Sequence, residues 1–166
     1  TSLCIRLGEI IMAIRNSITA MRTAVVGTLA FYGPQRAVAL VLDTTTEANN
    51  VFGRAFTYKT ENTAQAGSAG AFAGIMTNLH AYAIDQVTAK NSTAGEFLHM
   101  GEVFVLLTNS TTPAIGNKVY FVPATGALTT TAAGNTEIKG AVVSRHTPVA
   151  ETGGHLAVVS LTGLQA

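Results

Sequence analysis

Tryptophan is absent from this chain, cysteine occurs once, and only 11% of the 166 residues carry charge. The lone Cys4 excludes an internal disulfide and a zinc site built from several cysteines. Aromatic residues are scarce at 7%, which argues against a carbohydrate-binding platform of exposed rings and against stacking on nucleic-acid bases. A net charge of +1 gives no signal for nucleic acid either. No stretch of 18 uninterrupted apolar residues occurs, so no membrane-spanning helix is expected. Arg6 and Glu9 break up the start of the chain, so no secretory signal is legible. The Asn91-Ser-Thr and Asn109-Ser-Thr patterns are then not read as glycosylation sites.

What the sequence has in their place is a neutral, apolar character. Hydrophobic residues make up 48% of it, with Thr, Ala, Gly, Ser and Asn supplying much of the rest. About a quarter of an ordinary soluble domain is charged. A protein packed against other proteins needs less charge than a free monomer. The few charges are uneven: in residues 1–42, four arginines stand against Glu9, a net +3, whereas the six basic and eight acidic residues of 43–166 leave −2. A basic leading segment on a faintly acidic body suits docking onto an acidic surface.

The leading segment also carries a period. Cys4, Leu7, Ile11, Ile14, Ile18, Met21 and Val25 are spaced alternately by three and four residues, the stripe of a helix with one apolar face, although Ser17 and Thr19 weaken it. Met12-Ala-Ile-Arg-Asn resembles an ordinary bacterial start, and Leu7-Gly-Glu can be encoded by a purine-rich ribosome-binding sequence. Residues 1–11 are therefore read as translated from a start placed too early. An intact mass of the natural protein that includes them would refute this.

After Gly27 the pattern changes to short apolar runs separated by turn residues. Gly33-Pro34 marks a turn, and Ala37 to Leu42 reads as a buried strand. Phe52, Phe56 and Tyr58 fall on one face at period two, with Arg54 among them. Thr60 to Gly70 is expected to be a loop and Phe72 to Met76 a strand; Ala81 to Ile84 is apolar again, and Asp85 to Gly95 is expected to connect. Further strands are expected at Val103 to Leu107, Val119 to Val122, Ile138 to Val143 and Leu156 to Leu161, with polar connections at 111–117, 123–126, 129–136 and 147–154. Regular short strands predict a mainly β fold, a compact barrel or sandwich, with an N-terminal extension or short helical arm. No helix pattern follows Val25, so βαβ units are not expected. The expected division is an arm at residues 1–27 and a β-rich domain at 28–166.

A search for chemistry finds no specific spacing. Gly67-Ser68-Ala69-Gly70 resembles a nucleophile elbow, but Ala66 stands where the elbow needs glycine. Gly67, Gly70 and Gly74 do not follow the dinucleotide-binding pattern. His80, His99, His146 and His155 include no pair four residues apart and no zinc-helix motif. Glu96 and Glu102 form a carboxylate pair only if the fold brings them together. Cys4, on the apolar stripe, reads as a small hydrophobe. No enzyme, cofactor or metal site is expected.

The ordered blocks nevertheless resemble one family. Phe72-Ala-Gly-Ile-Met-Thr-Asn-Leu-His-Ala-Tyr82-Ala83, following a Gly/Ala-rich loop, is similar to a block in the structural cement proteins of tailed bacteriophages. Ala24 to Pro34, Gly53 to Phe56, Met100-Gly-Glu-Val-Phe-Val105, Ile115-Gly-Asn-Lys-Val-Tyr120, Thr125-Gly-Ala-Leu128, Gly140-Ala-Val-Val143 and Gly154 to Leu161 keep that family's order. Residues 1–11 have no counterpart in it. The resemblance implies a β-rich fold without catalysis that binds the outer face of an assembled capsid in the virion. Its partners would be the major capsid protein and further copies of itself, with a trimer favoured over a dimer. The body 28–166 would be the cement domain. The alternatives are another virion component, such as a tail or fibre adapter, and a small hydrolase or binding domain using His80, His99 and His146.

For capsid or subunit contacts, Ile14, Arg15, Ile18, Met21 and Arg22 of the leading segment are expected first. Phe31, Tyr32 and Arg36, around Gly33-Pro34, come next. Apolar anchors flanked by arginine suit a protein interface.

Overall fold

The computed structural model describes residues 24–78 and 86–163. Ten strands form one continuous sheet. They are β1 (Arg36–Leu42), β2 (Ala55–Tyr58), β3 (Thr63–Ala66), β4 (Phe72–Met76), β5 (Ala94–Leu107), β6 (Lys118–Phe121), β7 (Leu128–Thr129), β8 (Thr136–Val143), β9 (Val149–Glu151) and β10 (Gly154–Thr162). The single helical element among the described residues is a 3-10 turn, Glu47–Asn49. Of the barrel or sandwich expected from the strand spacing, the described residues form a mainly β fold with a closed barrel.

The sheet closes on itself through β5. In the order β1–β3–β2–β4–β5, the last strand returns to β1, with Val38 opposite Phe97 and Leu40 opposite Gly95, which makes a five-stranded barrel. A second circuit runs β5–β7–β6–β8–β10 and returns to β5, from Thr162 opposite Met100 to His155 opposite Leu107. Strand β9 is left at the edge, paired only with β10. The 14-residue β5 thus serves both circuits, its first half facing β1 and its second half β10. Closure leaves few open backbone edges, which suits a sequence with little charge to protect them.

Each circuit encloses apolar side chains. Leu40, Leu42, Phe56, Ala64, Met76 and Phe97 fill the first, joined by Phe52. The Phe56 and Phe97 rings lie 5.0 Å apart, tilted by 50°, within the distance at which aromatic pairs attract. Val103, Val105, Leu107, Phe121, Leu128, Ile138, Val143 and Val159 fill the second. Ala55, Ile75 and Leu98, from the other face of β2, β4 and β5, also belong to this second cluster. The wall of the barrel is thereby shared, and Phe72 on β4 packs on it 6.5 Å from the Phe121 ring.

Several details depart from the expectations. The stretch expected as a loop, Thr60 to Gly70, contains β3, whose small side chains (Ala64, Ala66) fit against Phe56. The connection expected at 147–154 contains β9. Strand β5 starts at Ala94, earlier than expected, because an irregularity opposite Arg36/Ala37 breaks its alternation: Arg36 pairs with Met100 but Ala37 with Leu98, skipping His99. The extra residue shifts the face, so Leu98 and Val103 enter one cluster despite their odd spacing. Phe52 precedes β2 and shares the Phe56 cluster, whereas Tyr58 is exposed and does not. The Ala81 to Ile84 run lies outside the described residues.

The loop after β3 docks on the turn after β6. The backbone N–H of Gly67 donates to the Ala55 carbonyl at 3.0 Å and that of Ser68 to the Pro123 carbonyl at 2.6 Å. Both residues have positive φ, 67° and 75°. A Cβ on Gly67 would run into the Pro123 carbonyl, so glycine is required there for space as well as for conformation.

Candidate functional site

Residues 27–30 run along the second half of β5. The N–H of Gly27 donates to the Phe104 carbonyl, that of Phe104 to Thr28, and that of Ala30 to Glu102. Leu29, opposite Val103, packs on the second cluster. This anchors the chain just before Phe31 and Tyr32, which leave the sheet. Tyr32 is 89% exposed and Phe31 39%.

The exposed Phe31 ring meets the loop between β8 and β9. The Arg145 guanidinium carbon sits 5.2 Å from the ring centroid, within cation–π range. The His146 ring lies 5.0 Å away at 30°. Beneath them opens a groove of about 410 Å³, whose walls include Pro34, Met100, Glu102, Arg145 and Leu161. Glu102 points inward: the Ser144 hydroxyl faces its Oε1 at 3.5 Å, and its Oε2 is buried without a partner. Arg36, on β1, stands opposite Met100 in the strand register. Burial, with the Arg36 charge second, holds the neighbouring His99 below the ordinary histidine range.

Of the expected contact residues, Phe31 lines this groove, while Tyr32 and Arg36 are exposed without being among its lining residues. Ile14, Arg15, Ile18, Met21 and Arg22 lie outside the described residues. Sequence reasoning missed Arg145 as a member of this surface. It is more than a hundred positions from Phe31, and an Arg-His pair after a strand carries no signal of which ring it will meet.

The residues weighed for chemistry do not converge. Among the described residues no group of three His, Cys, Asp or Glu is placed to hold a metal. His80 lies outside the described residues. His155 is buried on β10, with Thr112 Oγ1 3.4 Å from its Nε2, whereas His146 stacks on Phe31. Glu96 accepts from Thr77 and Glu102 faces Ser144, so each carboxylate serves its own local bond. Ser68, in the glycine-flanked loop, donates its backbone N–H to the Pro123 carbonyl. A second cleft, of about 220 Å³, is lined by neutral polar residues such as Thr44, Asn49, Gln65 and Ser68. Neutral hydroxyls and amides do not ionise near neutral pH, so these side chains supply no general acid or base.

A barrel with a shared wall and an aromatic, arginine-bearing surface is the outline of a structural interaction protein. Residues 14–162 match the family described as structural cement protein (E217 gp24/Pam3 gp6), and the chain belongs to that family. The family is structural rather than enzymatic, which displaces the hydrolase alternative. Among solved structures, a chain of the capsid of Myoviridae phage XM1 shares the fold at a TM-score of 0.67 and 16% identity, over 89% of this chain and 96% of that one. No curated protein matches the sequence. The protein is accordingly a capsid-associated structural component of a phage virion.

Proposed function

We propose that this protein binds the outer surface of the phage head and bridges neighbouring major capsid protein subunits, stabilising the expanded shell. The observation that carries the reading is the family match across residues 14–162. The fold suits the role: a doubly closed sheet is a stiff clip, and a ligand that binds only the assembled shell stabilises that state by mass action. Many identical contacts around one shell multiply a modest individual affinity. Copies on local symmetry axes would form closed rings, with a trimer favoured over a dimer. The leading residues 1–27 would act as an arm, Ile14, Ile18 and Met21 supplying apolar anchors and Arg15 and Arg22 the charge. The body 28–166 would be the cement domain.

Cosedimentation of purified full-length protein with expanded shells of its own phage tests this. Saturable binding that raises the rupture temperature of the shells is expected. No binding, or immunogold labelling of tails instead of heads, would overturn it.

A further inference from the structure

Among the described residues one strand edge is left open. Both circuits of the sheet close, so every other strand has a neighbour on either side, whereas β9 pairs only with β10. Strand β5 occupies one side of β10 along its length, so β8 and β9 share the other, with Val142 opposite Ser160 and Val149 opposite Leu156. The two valines therefore stand on one face of the sheet, and both are exposed, at 37% and 47%. A two-residue turn, Thr152-Gly153, joins β9 to β10. Such a turn closes on a hydrogen-bonded pair, here Glu151 and Gly154. Alternation along the strand then turns the N–H and carbonyl of Ala150 outward, to the open edge. Pro148, two positions earlier, has no N–H to offer there, so the strand presents one complete donor–acceptor site.

We propose that β9 pairs with β9 of a second copy of this chain, antiparallel about a twofold axis at Ala150. Identical strands related by such an axis run antiparallel, so the edge is complementary to itself. Ala150 of each copy exchanges two hydrogen bonds with Ala150 of the other, and Val149 of each lies beside Glu151 of the other. That register keeps the two Glu151 carboxylates from facing each other. Charges near the valines are already engaged within the chain: Lys118, opposite Val142, bonds Glu137 at 2.9 Å, and Arg145, in the loop between β8 and β9, lies over the Phe31 ring. The surface thus favours a neutral, apolar partner that brings a free strand edge, and this chain supplies both. With one open edge among the described residues, pairing of this kind stops at two copies. The inference rests on the self-association named above and gives it a surface. Being twofold, the contact makes pairs of copies and, where trimers occupy the shell, joins one to the next.

Two measurements on the full-length protein test it. First, in a Cys4→Ser background, a short thiol crosslinker is expected to join two copies through Ala150→Cys. Val87→Cys, at an exposed residue beside Phe52, is expected to stay unlinked. Second, sedimentation equilibrium is expected to show a dimer whose dissociation constant rises at least about tenfold in Ala150→Pro, as the loss of its outward hydrogen bonds implies. Ala150→Glu, which opposes two carboxylates across the axis, should weaken it as well. Circular dichroism should show the β fold intact in both, since Ala150 is exposed on an edge strand. A crosslink yield at residue 150 no greater than at residue 87, a wild type that is monomeric at every concentration, or an association that neither variant weakens overturns the pairing. So does a crosslink from residue 150 to the major capsid protein on shells in place of a second copy. Each of these leaves the capsid reading standing, whereas a protein that pairs through residue 150 yet binds no shells removes that reading alone.

Discussion

At the residue scale, His99 reports on its burial and on the neighbouring Arg36. Its folded pKa lies below the ordinary value of 6.5 because burial, and then Arg36, disfavour the imidazolium. The unfolded chain therefore takes up the proton more readily than the folded one. Stability is expected to rise with pH between the folded value and 6.5, to be complete above that window and lost below it. Replacing Arg36→Gln removes one of the two causes, so the His99 pKa should move part of the way back up. An NMR titration of the imidazole carbons checks this, and a value unmoved or lowered would show that Arg36 does not act on His99. Gly67 supplies a second residue-scale expectation. Gly67→Ala should destabilise more than Gly134→Ala: both have positive φ, but only at Gly67 does the new Cβ meet backbone, while at Gly134 it enters open space. The left-handed conformation alone costs about 1–2 kcal/mol, and the melting temperatures of the two variants would isolate the steric remainder.

At the scale of elements, paired surroundings decide what a strand tolerates. Val158 on β10 lies opposite Phe104 of β5 in the middle of the sheet, whereas Ala150 lies on the edge strand β9. Val158→Pro is expected to abolish folding, and Ala150→Pro to shift the melting transition only slightly. Equal losses from both, in circular dichroism melts, would contradict this placement. The same scale shows how far the sequence could be read. Apolar runs bounded by Gly, Pro and Asn marked β1, β4, β6, β8 and β10 because those strands combine β-branched or aromatic residues with turns at both ends. Strand β3 escaped notice because Thr-Ala-Gln-Ala is too small and polar to look buried; its partner Phe56 supplies the bulk. The first half of β5 was hidden because the extra residue at His99 shifts the alternation. The site was half legible: Phe31, Tyr32 and Arg36 stand close in sequence beside a turn, while Arg145 joins Phe31 only through the pairing of β8 with β10 and the loop that follows.

At the scale of the whole molecule, the two apolar clusters are not independent. Ala55, Ile75 and Leu98 stand on strands of the first barrel yet pack in the second cluster. The described body is expected to unfold in one cooperative transition. Phe97→Ala, in the first cluster, and Val159→Ala, in the second, should lower the same transition rather than separate two. The loss should be about 3–5 kcal/mol for the phenylalanine, typical of emptying a fully buried ring site. Calorimetry showing two resolved transitions would mean that the shared wall does not couple the halves.

The double use of β5 also bears on how the chain reaches its fold. Strand β1 cannot close the first barrel until residues some sixty positions later have been synthesised, and the second circuit waits for β10. Long-range pairings of this kind pay for loop closure before they gain contacts, and they place all-β domains toward the slow, millisecond-to-second end of folding rates. A nascent chain halted before β10 would expose the apolar faces of β5 and β8 without their cover. Under the proposed function, slow maturation would delay capture by heads, and the interval between synthesis and attachment would be set in part by the wait for one strand.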